Sequence, residues 1–103
     1  MQKRNREGLF EVIDSFAIRR RNEFYLIGQL KEGNVEKNWF INVGLNQSLS
    51  VTVRISDVEN IEITNDNTEY KLIIISCNTE TLDFLLGLKI GSELMDITID
   101  GQD

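Results

Sequence analysis

Apolar and polar residues alternate with a period of two from Leu9 almost to the end of the chain, which predicts strands rather than helices. Phe10, Val12 and Asp14 share one face of the first run, with Glu11 and Ile13 on the other. Phe24, Leu26, Gly28 and Leu30 alternate with Tyr25, Ile27 and Gln29. That run is apolar on both faces at its centre, the pattern of an inner strand covered on both sides. Trp39, Ile41 and Val43 oppose Phe40 and Asn42, and Val51, Val53 and Ile55 oppose Thr52 and Arg54. Ile61 and Ile63 follow, then the β-branched run Tyr70 to Ser76, then Met95, Ile97 and Ile99. Turn chemistry separates them: Lys31-Glu32-Gly33-Asn34, a loop from Gly44 to Ser50, and Asn65-Asp66-Asn67.

One segment breaks the alternation. Leu82, Leu85 and Leu86 have helical spacing, with Asn78 or Thr79 as N-cap and Gly87 as stop, so one or two helical turns are expected over 79–87. Several short strands with regular turns and almost no helix predict an all-β fold, a small six-stranded barrel, closed or partly closed, over residues 9–100. Closure would remove the sheet edges and let a short chain bury one face of every strand. Residues 1–8 read as a flexible basic lead-in and 101–103 as a tail.

At 103 residues the chain has the length of one domain. It has no apolar run near the ~20 residues of a membrane span. No apolar segment follows the basic start, so no secretory signal is expected. A single cysteine, Cys77, favours a reducing, cytoplasmic setting. Asn46-Gln47-Ser48 matches a glycosylation acceptor, a pattern frequent by chance. The chain contains no histidine, which excludes Ser-His-Asp and Cys-His nucleophile systems, and with only one cysteine as well it excludes thiolate or imidazole zinc sites. The usual phosphate-cradling glycine motifs are missing as well. No catalytic residue, cofactor or metal is therefore expected, and the 17 acidic residues read chiefly as a solvated surface.

Charge is unevenly placed. Residues 1–21 carry a balance of +3 and residues 22–103 a balance of −9, giving −6 in all. So acidic a body repels a phosphate backbone and suits a basic protein partner.

A more specific pattern begins with Phe10-x-Val12-x-Asp14-x-Phe16-x-Ile18. It continues through Arg20 or Arg21, Gly28, Gly33, Val35 and Ile41. Val58-Glu59-Asn60-Ile61 follows, then Thr81-Leu82-Asp83-Phe84 through Ile90-Gly91-Ser92-Glu93-Leu94. In order and spacing this resembles the second domain of translational GTPases such as elongation factor Tu, over about Leu9 to Ile97. The resemblance implies a free-standing β-barrel without the nucleotide-hydrolysing domain. In that family the barrel docks on the GTPase domain and contacts tRNA or ribosomal RNA. Gly28 and Gly33 fit a bulge or corner and a tight turn. Where the family has turn glycines this chain has Arg19-Arg20-Arg21-Asn22, and Asn38 stands where a glycine precedes the Trp39 strand. Asn22 and Asn38 can both take the left-handed conformation.

The candidate partner-binding residues are Arg19, Arg20, Arg21, Phe40, Glu80 and Asp83. The three arginines form either a basic knuckle that grips a phosphate or carboxylate, or a solvated turn. Adjacent Trp39 and Phe40 face opposite ways, so one is core and the other, Phe40, a candidate anchor. Glu80 and Asp83 sit where they favour the helix dipole or form an acidic contact. Tyr25 and Tyr70 are expected at the core edge with their hydroxyls in water, and Cys77 as a small buried hydrophobe. The expected function is a non-enzymatic binding module presenting an acidic surface to a protein partner. The alternatives are an immunity or antitoxin-like protein that neutralises a nuclease toxin, and an RNA- or ribosome-associated factor using the basic turn.

Overall fold

A computed structural model of the protein describes residues 6–45, 48–63 and 68–99. The first five residues, Asn46-Gln47, the expected turn at Asn65-Asp66-Asn67 and the tail lie outside the described residues. The strands are β1 (Gly8–Ile18), β2 (Glu23–Gly33), β3 (Phe40–Gly44), β4 (Ser50–Arg54), β5 (Asp57–Ile63), β6 (Thr68–Ser76) and β7 (Glu93–Thr98). One helix, α1 (Thr79–Gly87), lies between β6 and β7, and a 3-10 turn at Arg19–Arg21 joins β1 to β2.

The all-β class and the helix position agree with the sequence pattern, but the six-stranded barrel does not form. Seven strands make one antiparallel sheet in the order β4-β3-β7-β1-β2-β6-β5, and no ladder joins β4 to β5. The reason is a corner at Ile55–Ser56. Ile55 donates its N–H to Trp39 and accepts from Asn38, both at the head of β3, while Ser56 donates to Ile74 on β6. The chain thus changes partners between two consecutive residues. β4 therefore continues along β3 while β5 continues along β6, on opposite edges of the sheet.

The first hairpin organises everything around it. β1 pairs with β2 along its whole length, but with β7 only from Gly8 to Val12. The β1–β2 register slips twice, between Leu9 and Phe10 and between Val12 and Asp14. At the second slip Ile13 is the extra residue, opposite Gly28. Before it, Phe10 and Val12 point into the core; after it, Ala17 packs on the core while Phe16 faces out, 44% exposed. The expected alternation that put Asp14 on the Phe10 face is therefore broken at Ile13, which keeps the Asp14 carboxylate in water. Gly28 makes the close approach possible, since a Cβ there would lie 2.0 Å from the Glu11 carbonyl oxygen. Gly33 ends β2 with φ of +66°, a conformation that disfavours other residues.

Behind the hairpin, Phe10, Phe24, Leu26, Ile41, Ile73 and Ile97 form the centre of a core completed by α1. Asn78 caps the helix by accepting from the Thr81 N–H at 2.8 Å. Leu82 and Leu85 then drop into the core, each burial stabilising by about 1.5–3 kcal/mol. Gly87 is the last helical residue rather than the left-handed stop; Lys89 takes that conformation, at φ of 53°, and turns Ile90 inward. Arg6 belongs to the ordered body, bridging Glu32 at 3.0 Å and Asp96 at 3.5 Å, and Glu7 donates its N–H to Ile97. Among the described residues, no helix is long and apolar enough to cross a membrane.

Gly28→Ala is expected to lower stability by about 3 kcal/mol, because backbone, not a flexible side chain, must move to admit the methyl group. Gly44→Ala, which meets open space, is the control and should be close to neutral. A denaturant midpoint unchanged in Gly28→Ala would show that the hairpin does not depend on this approach.

Candidate functional site

The three arginines do not form a free knuckle. They occupy the 3-10 turn, closed by Asn22 in the left-handed conformation (φ 51°, ψ 47°), whose N–H bonds the Arg19 carbonyl at 3.0 Å. Asn38 is left-handed too, at φ of 73°. The turn leans towards α1, where Arg19 Nη1 meets Asp83 Oδ1 at 2.7 Å. Arg21 Nε contacts Glu23 Oε1 at 3.1 Å. Arg20 is exposed, and no ion pair forms on it among the described residues. Two of the six candidates, Arg19 and Asp83, are thus brought together as partners of each other. Glu80 is exposed in the first turn of α1, three residues before Asp83.

Phe40 is corrected from an exposed anchor to a covered residue. It faces away from Ile41 and Val43 as the alternation requires, but it is only 4% exposed. Its cross-strand neighbour Arg54 lays its guanidinium 4.7 Å from the ring centroid. The half-buried Trp39 packs on the core instead.

The residues that do gather lie on the outer face of β2, β6 and β5. Counting outward from the Arg19–Asn22 turn, Phe16 falls opposite Tyr25, Tyr25 opposite Ile74, and Ile74 opposite Asp57. The next row is Asp14, Ile27, Leu72 and Glu59. The Phe16 and Tyr25 rings stack with centroids 4.9 Å apart and planes 11° off parallel. The Tyr25 hydroxyl does not stay in water but donates to Glu23 Oε1, the same oxygen that Arg21 contacts. Around this chain is a groove of about 410 Å³, walled by Arg21, Glu23, Tyr25, Asp57, Glu59 and Ile74. Pairing back from the turn would have identified the Phe16–Tyr25 contact; nothing local in the sequence marks Asp57 or Glu59 as their neighbours.

Ionisation follows from these contacts. The hydrogen bond to Glu23, then burial, then the Glu23 charge raise the Tyr25 phenol above its ordinary value. Cys77 is raised as well, by burial. It borders a second groove of about 420 Å³ between β4 and α1, beside Val53, Phe84 and Leu85. A thiol held in its neutral form is a poor nucleophile at neutral pH. Among the described residues, no group of three or more cysteine or carboxylate side chains is placed to hold a metal ion. Comparison with protein-family models, curated proteins and solved structures found no match.

The Arg19–Asp83 pair is exposed on both sides, so a double-mutant cycle of Arg19→Ala and Asp83→Ala should give a coupling of about 0.2–1 kcal/mol, shrinking with salt. A coupling of zero would mean that the turn is not tied to α1. For Tyr25 the folded state binds the phenolic proton more tightly than the unfolded state does. That contribution is present below pH ~10 and is lost as pH rises through the folded value. Wild type should therefore lose stability above about pH 10 more steeply than Tyr25→Phe; parallel pH curves would contradict the Tyr25–Glu23 assignment.

Proposed function

We propose that this protein is a non-enzymatic binding module that presents an acidic face to a protein partner. The observation that supports this most is the outer face of β2, β6 and β5, where the Phe16–Tyr25 stack and the apolar Leu72 and Ile74 lie among Glu23, Asp57 and Glu59. An apolar centre with a charged rim is the usual anatomy of a docking surface. The overall charge of −6 steers cationic partners towards it and repels nucleic acid. A module that neutralises a nuclease toxin is a special case of the same reading, since a basic active site is what such a face would mask. The RNA-associated reading fits less well, because Arg19 and Arg21 are already committed to Asp83 and Glu23.

Kinship with the second domain of translational GTPases is part of the proposal only as an ordering of motifs. What supports it is the tight turn at Gly33 and the left-handed Asn22 and Asn38, whereas the strand count and the open edge differ from a closed six-stranded barrel.

Affinity capture from the native cell, eluted by a salt gradient, tests the reading. The expected result is a basic protein released between about 0.1 and 0.5 M salt as charges become screened. Filter binding at low salt should show no retention of tRNA. Retention of tRNA that disappears in the triple variant Arg19→Ala, Arg20→Ala, Arg21→Ala would replace this function with the RNA-associated one.

A further inference from the structure

The geometry points to the groove beside Tyr25 as the seat of an arginine side chain from the partner, held by Asp57 and Glu59 on the edge strand β5. This rests on the binding-module reading and says where on the module the partner docks and by which group. Three observations converge on it.

The first is charge. One cationic and three anionic side chains line the groove, namely Arg21 against Glu23, Asp57 and Glu59, so two negative charges remain in excess after Arg21 is counted. Arg21 satisfies Glu23. Asp57 caps its own neighbour's N–H, with Val58 N to Asp57 Oδ1 at 2.8 Å, and neither Asp57 nor Glu59 has an ion-pair partner among the described residues. The second is an internal precedent. The chain already seats one guanidinium at one end of this groove, on the oxygen that also accepts the Tyr25 hydroxyl. A second guanidinium at the Asp57–Glu59 end would repeat that contact across the same Ile74 and Leu72 floor. The third is shape. Leu72 and Ile74 give an otherwise polar groove an aliphatic strip, and about 410 Å³ of space lies above it, room for a side chain whose stem is apolar and whose head is a flat cation. The adjoining Phe16 ring is 44% exposed and offers a π-face to a neighbouring arginine of the same segment. Lysine satisfies the charge but neither the bidentate geometry nor the stacking.

The test uses the full chain, labelled with nitrogen-15, titrated with nona-arginine and separately with nona-lysine peptide at 50 mM and 150 mM salt. Expected amide shifts concentrate at Arg21–Tyr25, Asp57–Glu59 and Leu72–Ser76, with nona-arginine bound more tightly than nona-lysine. The double variant Asp57→Asn, Glu59→Gln should bind nona-arginine roughly fivefold more weakly. Glu36→Gln with Glu69→Gln removes the same charge elsewhere, Glu69 lying on the opposite face of β6, and should leave binding unchanged. If the two double variants lose affinity equally, or the shifts map away from the groove, the acidic reading stands and this docking site is wrong. If neither peptide binds at 50 mM salt, the docking site and the acidic-face reading fail together.

Discussion

One extra residue in one strand governs this structure. Ile13, bulged opposite Gly28, reverses the inward and outward parity of β1 halfway along its length. Without that reversal, strict alternation from Phe10 and Val12 would carry the Asp14 carboxylate towards the core together with Phe16 and Ile18. Burying an unpaired carboxylate costs several kcal/mol, far more than a bulge. With the reversal, Ser15 and Ala17 turn inward, Ser15 donating its hydroxyl to the Ile90 carbonyl at 2.6 Å. Phe16 turns outward to meet Tyr25. The core and the outer groove are therefore two consequences of the same local irregularity.

The bulge also shapes the sheet. β1 leaves β7 at Val12, where the register slips, so the far half of the β1–β2 hairpin projects with its turn over α1. Two slips in one hairpin increase the local coiling. That coiling, with the change of partner at Ile55–Ser56, lets one sheet wrap a core without closing. The edge strand β5 carries Asp57, Glu59 and Glu62, charges of the kind that discourage edge-to-edge pairing. Asp57 and Glu59 thereby serve two purposes, protection of an open edge and the acidic rim of the groove.

The arginine turn shows how a conspicuous motif can also take part in the fold's own contacts. Three consecutive cations in an acidic chain draw the eye, but two of them pair with nearby carboxylates: Arg19 ties the hairpin to Asp83 on the helix, and Arg21 meets Glu23 within the hairpin itself. A surface pair of this kind contributes little to stability, so its effect is mainly orientation. The proposed docking face draws its members instead from β1, β2, β5 and β6.

Much of the fold was legible in the chain because its determinants are local. The strands at Phe24–Leu30 and Tyr70–Ser76 follow from side-chain alternation, the helix from Leu82 and Leu85 behind the Asn78 cap, and the left-handed Asn22 and Asn38 from their short polar side chains. The candidate site was legible only in fragments. Arg19 and Asp83 could be named but not paired, being 64 positions apart, and Phe40 read as exposed because nothing local places Arg54 over it. The number of strands, the open edge and the meeting of Tyr25 with Asp57 and Glu59 depended on ladder register and on a partner exchange at Ile55–Ser56. Register is a property of two strands at once, so a single strand's alternation determines which residues share a face but not which face, or which neighbour, they meet.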